Sequence, residues 1–129
     1  MRGNPNDAQA WLAFAHRDLT WAKRDVAEHE HLRAAVSLQQ AAEKCLKAKL
    51  VAMSWELERI HVLSQLLGRL QERGVDLRWF ADTAEKLSYE YFAERYPGDF
   101  DPPPTEAEVR AYLVDVTRLF AELFPPDAA

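Results

Sequence analysis

Apolar residues recur along this chain at helical intervals, in five successive runs. In the first, Leu12, Ala15, Leu19, Ala22 and Val26 follow 3-4-3-4 spacing, widened by Trp11 and Phe14, which is the pattern of an amphipathic helix. Asn6 reads as its cap, with Gln9 three residues on and Asp7 in the first turn. The pattern breaks at Glu28-His29-Glu30-His31, where a short turn is expected. A second stripe, Leu38, Ala41, Cys45, Ala48 and Ala52, carries a helix from about His31 to Met53. Ser54 to Arg59 reads as a connector, and Ile60, Leu63, Leu67 and Leu70 then repeat 3-4-3 up to a stop at Gly74. Asp76 is placed to cap a fourth helix with the stripe Leu77, Phe80, Ala84, Leu87 and Tyr91, ended by Pro97 and Gly98. After the stiff Asp101-Pro102-Pro103-Pro104 bridge, Thr105 and Glu108 form a capping box for the last stripe, Val109, Leu113, Val116, Phe120 and Leu123.

These runs predict helices over about 7–28, 31–53, 60–73, 76–95 and 105–124, with no sustained period-2 alternation and hence no sheet. The expected fold is all-α: an up-down antiparallel bundle of four long helices plus one shorter helix, in a single domain over 1–129. A net charge of −5 disfavours nucleic-acid binding through bulk charge while leaving room for a local basic patch. The lone Cys45 has no disulfide partner in the chain, which fits a reducing compartment, and no apolar run approaches a membrane span. Met1-Arg2-Gly3-Asn4-Pro5 lacks the apolar core of a signal peptide, so a cytoplasmic location is expected.

Candidate chemistry is sparse. There is no glycine-rich phosphate loop, no cysteine pair for zinc, no serine nucleophile elbow and no Glu-x-x-His pair, so neither a metal nor a cofactor is expected. His29 and His31 look metal-like, but two positions apart on a helix they would point to different faces; a turn could join them, and a solvated connector is the plainer reading. Three features remain. Gln40, Lys44 and Lys47 recur at i, i+4 and i+7 beside the bare strip of Ala41, Ala42, Cys45 and Ala48, forming either a phosphate-binding edge or a solvated face with a Glu43–Lys47 pair. His61, at a helix entrance, is a ligand or proton-transfer candidate, or simply a cap. Tyr89, Tyr91, Arg95 and Tyr96 combine stacking rings with a guanidinium, which suits a nucleotide or another anion, or else they anchor the end of the bundle.

The segments Gln39 to Ala48, His61 to Leu67 and Tyr91 to Pro97 together resemble a HEPN-domain protein, a name abbreviating "higher eukaryotes and prokaryotes nucleotide-binding". The resemblance extends from the first helix to the Thr105 helix. It implies a helical bundle that homodimerises. It further implies, for small prokaryotic members, a minimal nucleotidyltransferase encoded nearby with which they form toxin–antitoxin-like pairs. Many members of the superfamily are metal-independent ribonucleases, using an Arg and a following His, with four to six residues between them, paired across the dimer. Here Arg95 stands where that Arg is expected, but Phe100 lies five residues on, between Asp99 and Asp101, and no His follows. Arg24 and His29 meet the count at the wrong place, the end of the first helix. A His-less motif lacks its proton-transfer group. The sequence therefore points to a non-catalytic module, with Gln40, Lys44, Lys47, His61, Tyr91, Arg95 and Tyr96 as candidate contacts for a nucleotide or RNA. A ribonuclease toxin using Arg95 and a purely structural dimerisation subunit are the alternatives.

Overall fold

The computed structural model describes residues 7–56, 58–96 and 102–126. They form α1 (Ala8–Ala27), α2 (His31–Ala52), α3 (Leu63–Glu72), α4 (Ala81–Arg95) and α5 (Glu106–Leu123), with a 3-10 turn at Arg78–Phe80 leading into α4. Among the described residues there is no strand. The all-α architecture is the one the apolar stripes require.

α2 is the axis of the assembly, since each of the other four helices packs against it. Its strip of Ala41, Ala42, Cys45 and Ala48 is completely buried, and Leu38, Leu46 and Leu50 are buried beside it. Small side chains let a neighbouring backbone approach closely, and the larger leucines fill the space between helices. Contacts across the helices set their directions. Asp25 meets Ser37 and Asp18 meets Lys44, so α1 and α2 run antiparallel. His29 meets Glu106 and His16 meets Phe120, so α5 runs antiparallel to α1. Thr83 donates to Asp115 and Trp79 to Glu122, so α4 also opposes α5. α1 and α4 thus point one way and α2 and α5 the other, with the ten-residue α3 as the short helix.

The helix ends refine the expected boundaries. Asp7, in an extended conformation, caps α1 by accepting from the Gln9 amide at 2.9 Å; the Asn6 cap expected from sequence lies outside the described residues. The capping box at α5 is complete, with Glu108 N donating to Thr105 Oγ1 and Thr105 N donating to Glu108 Oε1. α3 begins at Leu63 rather than at residue 60, because Val62 is extended and leaves Ile60 and His61 on the connector. Asp76 does not cap α4, whose cap position is Phe80; it accepts instead from the Arg78 amide at the start of the preceding 3-10 turn, whose own cap position is Leu77. Ala52, expected in the buried stripe of α2, is exposed on the last turn, and Trp55 is buried in its place. The Pro97-Gly98 stop lies outside the described residues.

Three helices end in the same way. At α1, α2 and α3 the amides just past the cap reach back to carbonyls of the last turn: His29 to Val26 and Glu30 to Asp25, Ser54 to Val51 and Trp55 to Leu50, Gly74 to Gln71 and Val75 to Leu70. This is the Schellman arrangement, which needs a left-handed residue at its corner. Gly74 supplies it with φ 84°, but His29 (φ 60°) and Ser54 (φ 63°) supply it without glycine's freedom.

Burial pushes the Cys45 thiol up to about 12, with Lys49 pulling weakly the other way, so this cysteine is a packing residue rather than a nucleophile. Because the alanine strip is fully enclosed, Ala42→Leu forces side chains and backbone apart. Urea unfolding is expected to show a loss of about 1–3 kcal/mol for this variant. Unchanged stability would mean that the strip is not closely packed.

Candidate functional site

Inside α2 lies a linked set of polar side chains. Gln39, Glu43 and Lys47 recur every four residues and therefore share one face of the helix. All three are buried. Gln40 Nε2 donates to Gln39 Oε1 at 2.7 Å, Gln39 Nε2 donates to Glu43 Oε1 at 3.3 Å, and Lys47 Nζ donates to Glu43 Oε2 at 2.9 Å. The Glu43 and Lys47 side chains are only 8% and 4% exposed, so each charge is compensated almost wholly by the other. Lys47 also lies over the Trp11 ring of α1, 5.3 Å from its centroid.

His61 joins this set from the connector. Its Nδ1 is 3.2 Å from Glu43 Oε2 and 3.5 Å from Lys47 Nζ, while the imidazole is 70% exposed. Glu43 Oε2 can only accept and Lys47 Nζ can only donate, so the two contacts at Nδ1 suit opposite tautomers of the ring, and the shorter one is to the carboxylate. A buried carboxylate orienting an exposed imidazole is an arrangement able to take up or hand over a proton.

The Gln40/Lys44/Lys47 edge is thus split by the fold. Lys47 turns inward to Glu43 and meets His61, Gln40 joins through Gln39, and Lys44 reaches across to Asp18 of α1. Each lysine is matched by an acid, so the edge carries little surplus charge for an anion. The Glu43–Lys47 pair expected from the sequence is formed, though buried rather than solvated.

A second group lies at the end of α4. The Arg95 guanidinium sits over the Tyr91 ring, 3.6 Å from its centroid, and Arg95 Nη1 donates to the Tyr91 carbonyl. Tyr96 stacks on Phe92 with centroids 5.0 Å apart instead of joining Arg95. Phe92, Tyr96 and Tyr89 are all exposed. Beside this helix a cleft of about 490 Å³ opens between α4 and α5, and Asp82, Glu85, Glu90 and Glu108 outnumber Lys86 on its walls. Its negative lining repels phosphate.

Gln39 and Asp18 escaped the sequence reading, as did the burial of Glu43. For Glu43 and Gln39 a signal existed, since they fall four apart on a face flanked by Leu46 and Leu50. Asp18 stands next to Leu19 in the first stripe, and nothing in the sequence announces its lysine partner.

A family model for the HEPN domain matches residues 8–123. The chain belongs to the HEPN family. The crystal structure of TT1696 from Thermus thermophilus superposes with a TM-score of 0.80 at 26% identity, covering 92% of this chain and 96% of that one. ST0689, an archaeal HEPN homologue, superposes with a TM-score of 0.71 at 24% identity over 91% of this chain and 94% of its own, and so shares the fold. Comparison with curated proteins finds no match. The polar set in α2 and the aromatic end of α4 both lie within the HEPN match. Among the described residues, no helix is long and apolar enough to cross a membrane.

Removing one member of the buried pair strands the other. Glu43→Ala is expected to cost about 3–5 kcal/mol in denaturant unfolding, whereas Glu43→Met with Lys47→Met recovers most of that loss. A single substitution as mild as the double one would show that the pair is hydrated.

Proposed function

We propose that this HEPN chain is a non-catalytic module that homodimerises, acts beside a minimal nucleotidyltransferase, and takes a nucleotide or a similar anion at the end of α4. The observation that carries the ligand reading is the exposed ring-and-guanidinium surface: Arg95 over Tyr91, next to the Phe92–Tyr96 stack. Rings and a guanidinium of this kind can hold a base by stacking while the cation meets a phosphate. The HEPN family, whose name records nucleotide binding, supplies the class of ligand. Phe14 and Trp21 are also exposed on α1, seven residues apart with Arg17 between them, and apolar surface of this kind favours a second copy of the chain.

The non-catalytic part of the reading rests on the histidines. All four precede Arg95 in the sequence, and each is engaged elsewhere: His16 against Phe120, His29 on Glu106, His31 against His29, and His61 on Glu43. Arg95 itself is held by Tyr91 and Glu94. Calorimetric titration with ATP is expected to give saturable binding that weakens about tenfold in Arg95→Ala, since losing one stacking or charge contact costs about 1–3 kcal/mol. Absence of heat and saturation would remove the ligand, and a monomer in sedimentation at micromolar protein would remove the dimer.

One observation favours a second reading. His61, oriented by Glu43 and open to solvent, could serve a metal-independent ribonuclease in place of the missing motif His. On the leading reading, RNA incubated with the protein in chelator stays intact. Cleavage that disappears in His61→Ala would establish the second reading instead, and cleavage lost in Arg95→Ala would assign the Arg its family role.

A further inference from the structure

The turn between α1 and α2 brings together a group that neither helix displays alone. His29 Nδ1 lies 3.1 Å from Oε1 of Glu106, the first residue of α5, and His31 Nε2 lies 3.9 Å from the same oxygen. The three donor atoms all fall within 4.8 Å of one another. His29 and His31 are two residues apart, too close to share a helix face, and it is the left-handed backbone of His29 that turns its ring back toward His31.

Two features are unexplained by packing. The first is His31 Nε2, which is buried and has no hydrogen-bond partner, the one such side-chain atom among the described residues. At 3.9 Å the Glu106 carboxylate is beyond hydrogen-bonding reach, so an Nε2 proton is unsatisfied, and an Nε2 lone pair faces a carboxylate oxygen with nothing between them. The second is His29 at φ 60° in the corner of a Schellman motif, a place where glycine serves best. A cation seated among the three donors resolves both: it uses the idle lone pair, separates it from the carboxylate, and gives the costly histidine a role.

We propose that His29, His31 and Glu106 form a binding site for a divalent transition-metal ion of the zinc, cobalt or nickel class, which clamps the α1–α2 turn to the start of α5. Two imidazoles and a carboxylate form a borderline donor set that suits these ions better than calcium or magnesium. A tetrahedral ion with bonds of about 2.0–2.2 Å sets its donors roughly 3.3–3.6 Å apart; the two histidine–carboxylate distances, 3.1 and 3.9 Å, fall on either side of that spacing, and the two histidine donors lie within 4.8 Å of each other. Arg110, more than the His29 contact, holds the Glu106 carboxyl below its ordinary value, and it does so from the other oxygen, Oε2. Oε1 stays available. Water completes the coordination, and the role is structural: the ion ties two elements that are far apart in sequence.

The test uses tag-free, chelator-stripped protein titrated with ZnCl2 by calorimetry and with CoCl2 by visible absorption. The expected result is one saturable equivalent per chain, a rise in melting temperature with Zn(II), and cobalt d–d bands of a low-coordinate nitrogen–oxygen site. Loss of an outer partner of a metal ligand already costs about 10–100-fold in affinity, so His31→Ala and Glu106→Gln are expected to weaken binding by at least that factor. His29→Gly is the decisive variant, because glycine suits the left-handed corner: the metal-free protein keeps or gains stability while binding falls by the same factor. His16→Ala, at a histidine packed on Phe120, binds like the wild type. No saturable uptake by the wild type overturns the proposal. So does a His29→Gly protein that binds as tightly as wild type, or a His16→Ala protein that loses binding equally.

Discussion

A pair of opposite charges lies buried in the helix against which every other helix packs, and much of this molecule follows from that. α2 cannot bury Glu43 and Lys47 singly, because an unmatched charge away from water costs several kcal/mol. They must stay one helical turn apart, and the helix must stay intact to keep them so. The same requirement fixes what surrounds them: Gln39 to fill the second carboxylate oxygen, the Trp11 face over the ammonium, and His61 on the open side. Apolar packing supplies the bulk of the stability, while the charge pair fixes which face of α2 meets α1 and the connector.

The α1–α2 hairpin carries a second polar seam that works in the same sense. Asp18 and Asp25 are seven residues apart on α1, and their partners Lys44 and Ser37 are seven apart on α2. Each contact fits one register of the antiparallel pair, since a slip of one turn would bury Asp18 without its lysine. The alanines between the seams allow close approach but do not specify it. Register therefore comes from the polar pairs and proximity from the small residues.

Period and caps are local properties of a sequence, which is why the five helices, the Gly74 stop and the Thr105 capping box are legible in the residues alone. Partnership across helices is not local. Lys44 and Lys47 look alike on a helical wheel, yet one crosses to Asp18 and the other turns in to Glu43, because only the fold puts an acid in front of each. His61 is legible as a candidate but not its carboxylate, eighteen positions earlier. A regular helix would set His29 and His31 on different faces, but the turn expected at Glu28 to His31 is present, and it brings the two rings together. The Schellman corner cannot be read from a histidine, since the residue that announces such corners is glycine.

The two histidine groups sit at separate places along one rigid element, and that separation bears on how they act. His31 opens α2 and Lys47 lies sixteen residues further along the same helix, about 24 Å at 1.5 Å per residue. This exceeds the roughly 8–10 Å over which salt screens exposed charges. An ion at the α1–α2 turn therefore leaves the His61–Glu43 pair electrostatically untouched. Any influence between them has to travel through the stiffness of α2 and the seating of α5. Both of those depend on packing that the buried charge pair and the Asp18–Lys44 seam hold in register, so the polar contacts that make the bundle specific also bear on how its two candidate sites are linked.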